Sequence, residues 1–154
     1  MRILNISAQK PHSTGSGVYL RELVKVFQKK GYQQGVVPGV YTDDKVEFPR
    51  EVAFYPVYFN QGKLPFNIPG MSDEMPYKST KYSEMTSEMV KLFKEEFLQV
   101  IDQAVKELNP DIILCHHLYL LTAFVREKYP NKKIFGICHN TDIRQFIKTD
   151  LKRD

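Results

Sequence analysis

Three short stretches hold the residue types that can do chemistry. The first, His12-Ser-Thr-Gly-Ser-Gly17, sets Gly15 and Gly17 around Ser16 just ahead of an amphipathic segment. Glycines let a backbone approach a phosphate closely, and a helix N-terminus adds unpaired N–H groups and the positive end of its dipole, so the stretch suits an anion. No Gly-Lys-Ser/Thr follows, as a Walker loop requires, and Leu20 stands where the dinucleotide fingerprint has its third glycine. A plain tight turn is the competing reading.

The second and third stretches are Cys115-His116-His117 and Cys138-His139-Asn140-Thr141-Asp142 with Arg144. Each follows an apolar run, so three of the four histidines fall at strand ends. A zinc cluster is disfavoured, because strand alternation puts Cys115 and His117 on one side and His116 on the other, and likewise splits Cys138 from His139. Both cysteines read as small buried residues ending strands. His116 and His117 are cleft-lining candidates with packing as the alternative. His139 is the stronger site candidate, since the polar groups after it exceed what a helix cap requires. Asp142 could serve as a cap and Arg144 as its ion-pair partner.

Those stretches need a scaffold that brings strand ends together. Ile3 to Ser7 predicts a strand. Residues 18–30 predict a helix, with Leu20, Leu23, Val24 and Phe27 at spacings of three and four and Gly31 as its left-handed stop. Gln34 to Pro38 predicts a second strand and Val52 to Phe59 a third, which Pro56 assigns to an edge. A helix over 87–108, capped by Thr86, carries Val90, Phe93, Phe97, Ile101, Ala104 and Leu108 on one stripe, and Asn109-Pro110 ends it. Asp111 to Cys115 predicts a strand buried on both faces. A helix over 118–128, a strand over 133–138 and a helix from Asp142 complete the pattern. Strands alternating with helices give an α/β class with a doubly wound, parallel, Rossmann-like sheet. Residues 60–82 lack a sustained period, but Leu64, Phe66, Ile68, Met71, Met75 and Tyr77 predict an ordered loop.

At 154 residues, 42% apolar and 26% charged, the chain has the composition of one globular domain. No apolar run approaches the ~18 residues of a membrane span. The start lacks a secretory pattern, and two cysteines do not make a disulfide framework, so the cytoplasm is the expected compartment. A net charge of +4, spread along the chain, does not argue for nucleic acid, though it suits anionic ligands or peripheral contact with a membrane surface.

MRILNIS, the glycine stretch before a helix, PDIILCHHLYLLTA and IFGICHNTDIRQF together resemble the N-terminal half of the retaining glycosyltransferases of family 4, enzymes of the two-Rossmann GT-B type. LPFNIPGMSDEMPYKST resembles an insertion in some bacterial members. The resemblance implies that residues 1–154 form the acceptor-side domain, truncated, with the C-terminal donor-nucleotide domain absent. Sugar would pass from a nucleotide-sugar donor to an unknown acceptor with retention, without metal or other cofactor, and the isolated chain would be catalytically incompetent. Gly15, Ser16 and Gly17 would lie against the donor diphosphate. His139 would be catalytic, binding the donor sugar near its C6 hydroxyl. His116, His117, Thr141, Asp142 and Arg144 would line the cleft or meet the acceptor. Family members often carry adjacent glycines where Gly15-Ser16-Gly17 stands, and the paired-glutamate motif is matched here only by Glu88 and Glu96 on the long helix, a chance match on a solvated face. The segment from Asp142 is expected to be weakly anchored, since no strand follows it.

Two rivals come from other classes. A nicotinamide- or flavin-dependent oxidoreductase needs an acidic residue at the end of the second strand, where Pro38, Gly39 and Val40 stand. A non-catalytic module would use the 60–82 loop to hold a protein partner.

Overall fold

An Ile-Leu-Asn-Ile run without regular polar alternation suits a strand covered on both faces, and Arg2–Ser7 (β1) is the centre of a six-stranded sheet. The computed structural model describes residues 1–148. After β1 come α1 (Gly15–Lys29), β2 (Gln33–Val40), β3 (Val52–Phe54), β4 (Val57–Tyr58), β5 (Pro69–Gly70) and β6 (Thr80–Lys81). A 3₁₀ turn at Tyr82–Glu84 precedes α2 (Ser87–Leu108), β7 (Ile112–His116), α3 (Leu121–Lys128), β8 (Ile134–Ile137) and α4 (Thr141–Lys148). The main sheet runs β3-β2-β1-β7-β8, with β4 also pairing β2, and every one of these pairings is parallel. This is the Rossmann-like architecture expected of the pattern, with strand order reversing at β1.

Helices cover both faces. Val36 and Val37 are adjacent in β2 and so point to opposite sides. Val36 packs with Leu20 and Val24 of α1, whereas Val37 joins Leu4, Ile6, Phe93, Phe97, Ile101 and Phe124 beneath α2 and α3. Thr86 caps α2 by accepting from the Met89 N–H at 3.2 Å, and Asn109 stops the helix at φ 45°. At the other end of the sheet, Asp111 accepts from both the backbone N and the guanidinium of Arg2 at 2.8 Å each, fixing where β7 starts beside β1.

Several boundaries differ from the sequence reading for identifiable reasons. The helix expected from Val18 starts at Gly15, because Thr14 caps it. Gly15, Ser16 and Gly17 are therefore its first turn and not a loop. The single strand expected over 52–59 is two pieces. Pro56 has no N–H, and pairing with β2 breaks around it while Tyr55 and Phe59 still donate to Val36 and Val40. The helix expected from Leu118 begins at Leu121, since His117 at φ 77° and Leu120 at φ 31° turn the chain first. Cys115 is buried as expected, but Cys138 is exposed, because the polypeptide leaves the edge strand β8 at Ile137.

Residues 60–82 are ordered. Leu64, Ile68, Met71 and Tyr82 are buried in the main core, and β5 pairs β6 in a small parallel ladder. The first turns of α4 are better anchored than expected: Asp142 and Gln145 are buried, while Ile143, Phe146 and Ile147 stand exposed. Residues 149–154, into which the sequence reading extends the last helix, lie outside the described residues. Among the described residues no helix is long and apolar enough to cross a membrane.

Phe97 is fully buried, with its ring 4.7 Å from that of Phe93 and 6.0 Å from that of Phe59. Phe97→Ala should cost about 3–5 kcal/mol in urea unfolding, against about 1 kcal/mol for Thr86→Ala. Equal losses would mean that α2 is held by its cap and not by its apolar stripe.

Candidate active site

Because the strands are parallel, the segments after β1, β7 and β8 emerge at the same edge, beside the reversal of strand order. There they enclose a cavity of about 220 Å³. Thr14 organises one wall. Its Oγ1 accepts from the Gly17 N–H at 3.1 Å and its carbonyl from Val18 at 2.8 Å, which leaves the N–H groups of Gly15 and Ser16 without a partner among the described residues. Those two donors sit at the positive end of a fifteen-residue helix, a setting for negative charge. The glycines play different parts. A Cβ on Gly15 would meet nothing within 4 Å, so its backbone faces open space, whereas one on Gly17 would stand 2.4 Å from the Lys10 carbonyl oxygen. Gly17 is thus required by close packing of helix against loop.

The opposite wall is built from the turns after β7 and β8. His117 Nε2 lies 3.1 Å from Ser16 Oγ, and its Nδ1 lies 3.2 Å from Asp142 Oδ1. Asp142 is buried and its carboxylate accepts from the Leu118 N–H at 2.8 Å and the His139 N–H at 2.6 Å. One side chain therefore ties both turns together. His117 holds its φ of 77°, uncommon for a residue with a side chain, because its N–H donates to Ile137 and its carbonyl accepts from Thr122 Oγ1.

His139 reaches the cavity with its ring 4.6 Å from that of His117, 6.0 Å from that of His116 and edge-on to Tyr19 at 5.6 Å. Its Nε2 has no protein partner among the described residues. Burial, with a smaller contribution from His117, lowers its pKa, so a neutral ring faces the cavity at pH 7. His116 is buried deeper, neither ring nitrogen has a protein partner among the described residues, and burial pushes its pKa down to about 3. Burial likewise raises the Cys115 thiol to about 12, which makes it inert as a nucleophile. Among the described residues no three His, Cys, Asp or Glu side chains are arranged to hold a metal ion.

Of the residues singled out from the sequence, Gly15, Ser16, His117, His139 and Thr141 line this cavity. Gly17, His116, Asp142 and Arg144 do not. Gly17 is packed against Lys10, His116 is in the interior, and Asp142 is a clamp beneath the wall. Arg144 is exposed, and among the described residues no ion pair joins it to Asp142. The sequence reading overlooked Gln9 and Ser72 as lining residues, named Thr14 and Asn140 only within their stretches, and placed Met71 and Met75 only in an ordered loop. Thr14 had a further local signal, a hydroxyl residue just ahead of an amphipathic helix.

No protein-family model and no curated protein sequence matches the chain. Among solved structures it is similar to sucrose-phosphate synthase from Thermosynechococcus elongatus, at TM-score 0.56 and 13% identity over 88% of this chain and 32% of that one. A second structure of that synthase gives TM-score 0.55 and 12% identity over 96% of this chain and 68% of that one. The chain thus spans about a third of the first of these. At such identity the likeness shows the fold: a mostly parallel, Rossmann-like half of the GT-B type.

The buried histidine sets a pH dependence. Folded His116 stays neutral down to about pH 3, whereas the unfolded chain takes up that proton near pH 6.5. Stability is therefore lost as pH falls through that window, by at most about 1.4 kcal/mol per unit from this group. Urea midpoints of His116→Phe should fall less steeply between pH 6.5 and 4 than those of the parent; parallel curves would place the proton elsewhere. Asp142→Ala, which strands two part-buried N–H groups, should cost about 1–3 kcal/mol at pH 7 by the same measurement.

Proposed function

We propose that this chain is the N-terminal, acceptor-side half of a retaining glycosyltransferase that moves a sugar from a nucleotide-sugar to a hydroxyl acceptor. The observation that carries the reading is the cavity at the strand reversal, lined by Gly15 and Ser16 of the helix N-terminus, whose N–H groups have no partner among the described residues, and by His139. A diphosphate leaving group gathers negative charge as its bond to the sugar breaks, and fixed N–H dipoles at a helix N-terminus stabilise that charge without reorganising. His139 lines the cavity as a neutral ring, and its buried Nε2, without a protein partner among the described residues, is an unused hydrogen-bonding atom suited to hold a sugar hydroxyl and orient the ring. Thr141 and His117 belong to the same wall, and Asp142 serves as a positioning residue for both histidines. The GT-B-like fold supports this assignment, as does the resemblance of IFGICHNTDIRQF to family 4.

In this reading residues 1–154 are one domain, and the donor's nucleotide is held by a C-terminal domain outside this sequence. Support comes from the coverage of the synthase chain and from Phe135, Ile143, Phe146 and Ile147, large apolar residues left exposed on β8 and α4 for further protein to cover. The cytoplasm is the compartment where nucleotide-sugars would meet it.

The rival readings lose support from specific contacts. The oxidoreductase reading wants an acidic residue at the end of β2, but Pro38, Gly39 and Val40 fill that end, Asp43 comes only after the strand, and Asp44 beside it is drawn into a 2.5 Å ion pair with Lys10. The apolar residues of the 60–82 segment are largely spent in the protein's own core, which leaves little for a partner.

The chain alone should transfer no sugar from any common nucleotide-sugar; turnover that survives repurification would end the half-domain reading. Joined to the domain that completes it, the enzyme should form product with the donor's anomeric configuration, seen by NMR. There His139→Ala should lower kcat/KM ~10²-fold or more with an unchanged urea midpoint. Loss of folding with full activity per folded molecule would make His139 structural.

A further inference from the structure

A second cavity, of about 290 Å³, opens past the ends of β1, β2 and β4, and no part of the proposed chemistry uses it. Its floor is unusual. Lys10 is only 6% exposed, its Nζ pairs with Asp44 Oδ1 at 2.5 Å, and it lies 4.2 Å from the ring centre of Tyr41 and 5.0 Å from that of Tyr77. Asp44 Oδ2 accepts from the Tyr41 N–H at 2.7 Å. The ammonium is thus held by a carboxylate and two rings, with N–H capacity left over. Two tyrosines fix the walls. Tyr41 Oη donates to the Lys78 carbonyl at 2.5 Å and accepts from the Ile68 N–H at 3.1 Å, binding the 60–82 segment to β2. Tyr77 Oη donates to Gln9 Oε1 at 2.8 Å. Gln9 lines the first cavity and Tyr77 the second, so this hydrogen bond joins their walls.

We propose that the second cavity is a binding site for a neutral, polyhydroxylated ligand, the sugar or polyol part of the acceptor. Charge decides against the alternatives. Lys10 and Lys78 are matched by Asp43 and Asp44, which leaves no net formal charge to favour a phosphate, a carboxylate or a cation. What remains is a mixture of donors and acceptors, the Asn60 and Asn67 amides, the Thr42 hydroxyl and the Asp43 carboxylate, beside aromatic rings. A hydroxyl both gives and takes a hydrogen bond, so neighbouring hydroxyls on a ring match such a lining where a singly charged group does not. The volume lies at the small end of ligand sites, which suits one sugar unit. The chemical class follows from this cavity; the name acceptor rests on the glycosyltransferase reading, whose reacting site lies just across the Gln9–Tyr77 wall.

The test is a titration of the 154-residue chain followed by amide NMR, with methyl α-glucoside, sorbitol, inorganic phosphate and UDP-glucose as separate probes. Methyl α-glucoside or sorbitol should shift the Thr42, Asn60 and Asn67 signals saturably with Kd in the millimolar range. Asn67→Leu should weaken that binding at least ~5-fold, and Ser16→Ala should leave it unchanged. Phosphate shifting those signals while both neutral probes fail, or no shift from either neutral probe at about 100 mM, would overturn the proposal. The UDP-glucose arm reads Gly15 and Ser16. Failure of the completed enzyme to transfer sugar from any common nucleotide-sugar to a hydroxyl, alongside intact polyol binding, would remove the name acceptor and keep the polyol site, whereas transfer without polyol binding would remove the polyol site and keep the transferase reading.

Discussion

The parallel direction of every pairing in the main sheet is the constraint on which the rest depends. A parallel strand cannot be joined to its neighbour by a tight turn, so each connection must cross a face of the sheet, and each crossing delivers the chain's next segment to the same edge. β1, hydrogen-bonded on both sides, is where strand order reverses, and the crossings part there to opposite faces. The Thr14 turn and α1 leave from β1 itself, the histidines arrive on β7 and β8, and Tyr41 and Asn60 arrive beyond β2 and β4. Both cavities are products of that one geometric rule.

Given the edge, electrostatics arrange the first cavity. Asp142 places a buried carboxylate under three groups at once, two backbone N–H groups and the His117 ring, and so joins turns that the sheet merely brings near. The histidines around it are packed closely enough that burial and their mutual repulsion favour neutral rings in His116 and His139. A neutral imidazole beside a helix N-terminus leaves the positive potential there to the backbone, whose dipoles do not titrate.

The 60–82 segment shows how a long connection can be ordered without much secondary structure. Its apolar residues are buried under α2, and Tyr41 supplies the hydrogen bonds that a ladder would otherwise supply. The segment puts Met71 and Met75 on one cavity and Asn67 and Tyr77 on the other, so it shapes both. A substitution that loosened it would be felt in each.

By itself the sequence determined the elements. Continuous apolar runs at 3–7 and 111–115, the stripe from Val90 to Leu108 and the Thr86 cap follow from local periodicity and capping chemistry, which act over a few residues and can be read there. The same was true of the strand-end histidines, because a strand followed by a polar turn has a local signature. Only the tertiary structure decided which strand-end residues face the cavity. Gly15 and Gly17 are alike in sequence, but one meets open space and the other the Lys10 carbonyl. His116 and His139 both follow apolar runs, but β7 is an inner strand with its end buried, and β8 is an edge strand whose following turn is half open. The Lys10–Asp44 pair, the Asp142–Leu118 bond and the Gln9–Tyr77 wall had no local signal at all. Each joins residues 24 to 68 positions apart, and burial and pairing at that range are set by how strands are ordered in space, which no window of sequence contains.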